Sequence, residues 1–371
     1  MRQLWREGST ANAGLPFCAH GWGEGRAESY AGREMPIERN ELVFVTEADS
    51  ETLLTELAAR TRHPAAGIFG PESLSWRINR EAALFLGAGR AALLQLAHPW
   101  VAAALAEHST VLDRPIVRFH RTFRIVFTMI FGTLEQAASA ARFLHALHNR
   151  IGGEMPEDVA AYRRGSRYEA NEIAALRWVY ATLVESAVLA YESALPPLTA
   201  AEREQYYAES KVLAGLFGIP VAALPEDWAG FEAYNRAMHE SEALGVSATA
   251  RSMAQRLMHG AGSWIHPPHW YRALTTEWLP ERFRVEFGFQ FGDTERRASS
   301  QAKRRLPQIY HLLPPGARFM GPWREARARL AGKRVGAWTR GSNRFWIGQP
   351  LLPFGGDSVL RRDTQGTTIA E

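Results

Sequence analysis

Apolar residues recur along this chain at three- and four-residue spacing, the signature of helices that bury one face. Asp49 and Ser50 are cap candidates for a helix running through Leu57 to Arg60. A Gly/Pro-punctuated connector follows, in which Ser73 or Ser75 can cap a helix carrying Trp76 and Ile78. From Ala82, the residues Leu84, Leu86, Ala91, Leu94 and Leu96 cover most of a helix surface, which predicts a segment deep in the core. Pro99 lacks a backbone donor and restricts His98, so this helix kinks or restarts there and continues from Trp100 to His108. After the turn DRPIVR a helix is expected from Val117 to Phe131. Gly132 ends it, and Thr133 with Gln136 forms a capping box for the next one. In that helix Ala137, Ala141, Leu144, His148 and Ile151 form a single stripe, so His148 belongs to the buried face.

Further on, Asn171 or Glu172 opens a helix with Leu176, Val179, Leu183 and Ala187 on its apolar face. Thr199 and Glu202 form a second capping box, and the helix they start aligns Tyr206, Glu209, Leu213 and Leu216. A carboxylate on that stripe needs a partner, expected to be an arginine from the stretch around residue 118. A Trp228–Tyr234–Met238 helix follows. Beyond Ser263 the segments are short and rich in proline and aromatics, and are read as short helices and extended arms wrapped over the core. Nothing alternates at period two for long, and no long repeat occurs. The expected architecture is all-α: one globular multi-helix domain over 35–355, with irregular C-terminal arms. Residues 1–34 lack periodicity and are expected to be disordered, with Met35 a candidate true start; 356–371 read as a frayed tail.

Composition narrows the class. At 371 residues and 46% hydrophobic the chain can bury a large core. Its net charge of +4 and pI near 9.3 are misleading, because all but three of the 43 basic residues are arginine and 39 acidic residues nearly balance them. No nucleic-acid partner is expected. One local excess stands out: Glu281 to Arg344 holds fifteen basic residues against five acidic. It reads first as a solvated face, then as a patch meeting acidic lipid or a cofactor carboxylate, so peripheral membrane contact stays open. Cys18 is the only cysteine, which removes intramolecular disulfides and thiolate clusters. The N-terminus has no apolar leader core. The longest apolar run, Ala82 to Leu105, is broken by Arg90, Gln95, His98 and Pro99, so no transmembrane segment is read there. A cytoplasmic protein is expected.

Candidate chemistry concentrates between His98 and His148, which hold five of the twelve histidines. No phosphate-binding, esterase or zinc-protease motif occurs in a productive context. Gly87-Ala-Gly89 follows no strand, so it is no dinucleotide turn, but its bare backbone admits another helix or a flat ligand. Arg118, Arg121 and Thr122 share one helix face, and an inward-facing arginine must find an anion. His148, with small Ala137 and Ala141 on its stripe, is the ligand candidate; the competing reading is an ordinary hydrogen-bonded core histidine. Nonheme iron or zinc held by His98, His108, His145 and His148 is weaker, because the spacing is not that of one helix face. His266-Pro-Pro-His269 could be a surface metal site but reads better as an aromatic turn.

Taken together, NREAALFLGAGRAALLQLAHPWVAAALAEHS, RFHRT, LHALHNRIGG, LRWVYATL, LTAAEREQYYAES and, further on, RLPQIYHLLPPGAR and NRFWIG resemble the rubber oxygenase (latex clearing protein) and MpaB-type oxygenase catalytic domain. The resemblance covers about Trp76 to Tyr234, plus the C-terminal signature. It implies a globin-like helical core around heme b, with His148 as the proximal iron ligand. Arg118, Arg121 and Thr122 would lie on the distal side and Thr182 would be a further pocket threonine. His98 and His108 belong to the family's HP…HS signature, read as cofactor-pocket wall together with Gly87. Arg121 departs from the family lysine, and Tyr180 stands where relatives commonly carry a histidine. The implied activity is cleavage of a C=C bond in an apolar, isoprenoid-like substrate by O2. A noncatalytic heme or apolar-ligand carrier, or a cofactor-free helical scaffold, would carry the same pattern.

Overall fold

Helix caps explain where each segment begins in the computed structural model, which describes residues 42–108, 115–260 and 266–353. The expected disordered extension, the frayed tail and Cys18 lie outside these. Helix α1 (Glu47–Arg60) starts earlier than expected: Thr46 caps it, accepting from Asp49 N at 3.1 Å, while Asp49 Oδ2 accepts from Thr46 N at 3.2 Å. Asp49 is thus the far half of a capping box. Ser73 caps α2 (Leu74–Asn79) as expected. A 3-10 turn (Ala82–Gly87) leads into α3 (Ala88–Leu96), and the chain restarts as α4 (Pro99–His108) with Pro99 at its first position.

Next come α5 (Pro115–Phe131) and α6 (Leu134–His148), joined by Gly132 and the Thr133/Gln136 box. A two-stranded antiparallel ribbon, β1 (Gly152–Glu154) and β2 (Arg167–Glu169), pairs Gly153 with Tyr168; the described residues hold no larger sheet. Glu172 caps α7 (Ile173–Ala194), accepting from Ala174 N and Ala175 N. Then follow α8 (Ala200–Leu216), α9 (Trp228–Glu240), α10 (Ala248–His259), α11 (His269–Glu277), α12 (Glu281–Glu286), α13 (Asp293–Leu312), α14 (Pro315–Arg318), α15 (Gly321–Leu330) and α16 (Ala337–Ile347).

The all-α expectation holds. The C-terminal third carries the short helices expected there, and one longer helix, α13, of 20 residues. Most of the prolines read there as breakers are helix starters. Pro268, Pro280 and Pro314 stand at N-caps and Pro315 and Pro322 in first turns, where a missing N–H costs nothing. Pro307 sits inside α13.

Helix α7 is the hub of the core. It packs on the 3-10 turn, α3, α8 and α13, and buries Leu176, Trp178, Val184 and Val188 with Leu93 and Leu94 of α3. It is long and apolar enough to cross a bilayer, but most of it is buried in the fold, as in a core helix. Glu209 of α8 finds its partner at a helix start rather than an arginine: its carboxylate accepts from Leu74 N (3.1 Å) and Ser75 N (2.7 Å). Free N–H groups and the helix dipole of α2 thus stabilise a buried charge. The C-terminal helices are tied back through Glu81, which is 1% exposed and accepts from Arg318 Nε (2.8 Å) and Tyr310 OH (3.0 Å).

Candidate cofactor site

The α5–α6 hairpin places its two ends in different environments. Near the turn the pair is solid: Phe127, Met129, Phe131, Ala137 and Ala141 are buried. The small residues of the His148 stripe are therefore filled against neighbours and leave no room for a ligand. At the open end the apolar side chains are only half-buried, Phe119 and Phe123 on α5 and Phe143, Leu144 and Leu147 on α6. Antiparallel pairing brings that part of α5, which carries Arg118, Arg121 and Thr122, alongside the last turn of α6, which carries His145 and His148. The result is a half-open apolar cleft with cations on one helix and imidazoles on the other.

Electrostatics confirm the juxtaposition. Burial, then the nearby charge of Arg118, then His145 push the His148 imidazole down to about 4, so at neutral pH it carries no charge. The ring is thus deep, yet part of its surface stays open to the cleft. Burial and the like charge of Arg121 bring Arg118 down to about 10, which still leaves it protonated. Among the described residues no carboxylate pairs with Arg118.

Asn171, 5% exposed between β2 and α7, orients the histidine end. Its Nδ2 donates to Asn149 Oδ1 and, at 3.4 Å, to the His145 carbonyl. Asn149 Nδ2 in turn lies 3.1 Å from His145 Nε2. Asn171 also lies beside the His148 ring, where its side chain weakly opposes the downward shift. A neutral imidazole keeps one ring nitrogen as a lone-pair donor. Sequence reading saw Asn171 only as a helix opener, because its partners lie 22 and 26 residues back.

An aromatic wall closes one side. Phe85 stacks on Trp346 of α16 (3.9 Å between centroids, 7° between planes) and meets Phe119 at 5.3 Å and Phe123 at 4.6 Å. His120 Nε2 lies 2.9 Å from the Phe345 carbonyl and fixes α16 to α5.

Four other candidates lie elsewhere. Thr182 is fully buried between α3 and α7, where it donates to Val179 O (2.7 Å) and accepts from Gln95 Nε2 (3.0 Å). A side chain on Gly87 would collide with the Ser186 carbonyl, so the space there belongs to α7 and not to a flat ligand. His98, 3% exposed, packs against Trp100 and Tyr162, and burial pushes it down to about 4. His108 is exposed and bridges from α4 to the Gly152 carbonyl at 3.1 Å. Tyr180 bonds Ser210 in the core at 2.6 Å. His269 faces Glu295 rather than His266, and no cluster of three metal-ligating groups occurs among the described residues. Two open depressions, beside Glu107 and Met155 and beside Asp158 and Arg282, do not include the histidine–arginine cleft.

The α5–α6 hairpin thus sets one neutral imidazole and a cationic stretch of helix beside half-buried apolar side chains. The chain belongs to the family of the catalytic domain of ER-bound oxygenase mpaB/B′ and rubber oxygenase, whose model matches residues 76–340. The match takes in α5, α6 and most of the C-terminal helices, and ends before Phe345 and Trp346 of the aromatic wall. No curated relative and no solved structure matches the chain.

Proposed function

We propose that this chain is a heme b-dependent oxygenase that uses O2 to cleave a C=C bond in an apolar, isoprenoid-like substrate. The observation that supports it best is His148: neutral, partly open at the surface of a half-buried apolar cleft, and beside the guanidinium of Arg118. The residues fit the group. A single imidazole is all the protein ligation a porphyrin iron requires, so the missing three-ligand cluster is no obstacle. Bound at His148, heme b would supply the redox chemistry that activates O2.

The chain's own residues supply binding, orientation and field. His148 stays unprotonated across the neutral range and keeps a ring lone pair available. Arg118 and Arg121 are fixed donors that can hold a carboxylate or polarise an oxygen atom. Arg121, where relatives carry lysine, acts only as a donor and charge, since a guanidinium does not lose its proton in this range. Thr122 adds a hydroxyl one turn from Arg118. Phe119, Phe123, Leu144 and Leu147 exclude water and favour an apolar chain. Thr182, caught between α3 and α7, supports the wall that carries α7 rather than the reaction.

Protein produced with a heme precursor should show a Soret band that His148→Ala abolishes while the far-ultraviolet circular dichroism is kept. Colourless, folded wild-type protein would overturn the reading. Oxygen uptake across a panel of polyisoprenoids and terpenoids then separates oxygenase from carrier: heme bound with no uptake by any substrate assigns the carrier function.

A further inference from the structure

Helix α16 exposes what a folded protein normally buries. Trp338 is 71% and Phe345 54% exposed, and they stand seven residues apart on one edge of the helix. The opposite edge of the exposed arc carries Arg340 and Arg344, with Ala337 and Gly341 between the edges. Lys333 and Arg334 lead into the helix, both exposed. The inward side is ordinary core, with Asn343 and Ile347 fully buried. The exposed apolar surface continues onto α14 and the end of α13. The Trp338 indole lies against Gly316, where an added side chain would come within 3.0 Å of its Nε1, and four residues before Gly316 stands Leu312, 82% exposed. No acidic residue falls between Lys333 and Phe345.

We propose that this face docks on a bilayer containing anionic lipid. Exposed tryptophan and phenylalanine beside arginine and lysine match an acyl–headgroup boundary: the rings enter the interface and the cations meet phosphate. A protein partner would fit the aromatics equally, but the uniformly positive rim favours a surface of uniform negative charge. The position of the face gives the docking a use. Phe345 and Trp346 are the residues that fasten α16 to His120 and Phe85 at the wall of the cleft. An apolar substrate dissolved in the bilayer would thus reach the cleft beside the docked helix without crossing water. The docking itself does not depend on the heme reading and is tested without heme or substrate.

The test is co-sedimentation of the full chain with phosphatidylcholine vesicles and with vesicles of phosphatidylcholine and phosphatidylglycerol in equal parts. Wild-type protein should sediment with the mixed vesicles and be released by salt, and should stay free of the neutral ones. Partitioning should fall roughly tenfold or more in Arg340→Gln/Arg344→Gln and in Trp338→Ser/Phe345→Ser. All four side chains are exposed, so melting temperatures should match wild type, which separates lost docking from lost folding. No sedimentation of wild type, or equal sedimentation of the variants, overturns the proposal. So does a dimer by light scattering that Trp338→Ser/Phe345→Ser converts to monomer without any vesicle binding, which would make the face a contact between copies.

Discussion

Asn171 ties the start of α7 to the last turn of α6 through Asn149 and the His145 carbonyl, beside His148. Asn171→Ala should weaken heme binding about 10- to 100-fold by titration, the usual effect of losing the group that orients a metal-bound histidine. Unchanged affinity would leave Asn171 as a mere linker of β2 to α7. His98 makes a different prediction. Its pKa in the fold is about 4, below the ordinary 6.5 of an unfolded chain. Between those values the unfolded chain binds the extra proton, so stability is intact above about pH 6.5 and drains away as pH falls towards 4. Melting temperature against pH should slope across that window, and His98→Phe should flatten the slope. An identical profile for the variant would show that His98 finds a charged partner in the fold. At this scale the sequence revealed residue types but not couplings. The placing of Arg118, Arg121 and Thr122 on one helix and of His148 at the end of the next was legible because helical spacing fixes faces. Thr182 and Gly87 were not, because only the packing of α7 on α3 shows that both are already in use.

Elements were more legible than contacts. Ser73, Thr133 and Thr199 begin helices where the caps are written, since capping is chemistry within four residues. In the C-terminal third the short helices were legible but their boundaries were not, because proline marks both the end of one helix and the start of the next. Glu209 was misjudged because the N–H groups of α2 are invisible in a list of side chains. The α3–α7 contact carries its own prediction. Gly87→Ala would push a methyl into the Ser186 carbonyl, and such overpacking should lower stability by about 1–3 kcal/mol in chemical denaturation. Thr182→Val removes the bond to Gln95 and should cost about 1 kcal/mol while leaving the heme spectrum of the protein unaltered. A shifted spectrum would return Thr182 to the site.

Across the whole molecule, Glu81 joins regions more than two hundred residues apart. Its carboxylate is buried, and Arg318 and Tyr310 reach it from the C-terminal helices. Arg318→Met would leave that carboxylate to Arg80, 3.3 Å away, and to the Tyr310 hydroxyl. The cost should be about 2–3 kcal/mol, under the 3–5 of a fully enclosed pair because the arginine keeps some solvent. A smaller loss than that of an average surface substitution would show that Arg80 and Tyr310 are partners enough for Glu81. The stack of Phe85 on Trp346 has the same long reach. A ribosome delivers Phe85, Arg118 and His148 well before Trp346, so the cleft has no finished wall until almost the entire chain has emerged. Contacts this far apart in sequence form late and slowly. Whatever the cleft binds is therefore loaded after synthesis, onto a completed chain, and nascent chains arrested before α16 should retain none of it.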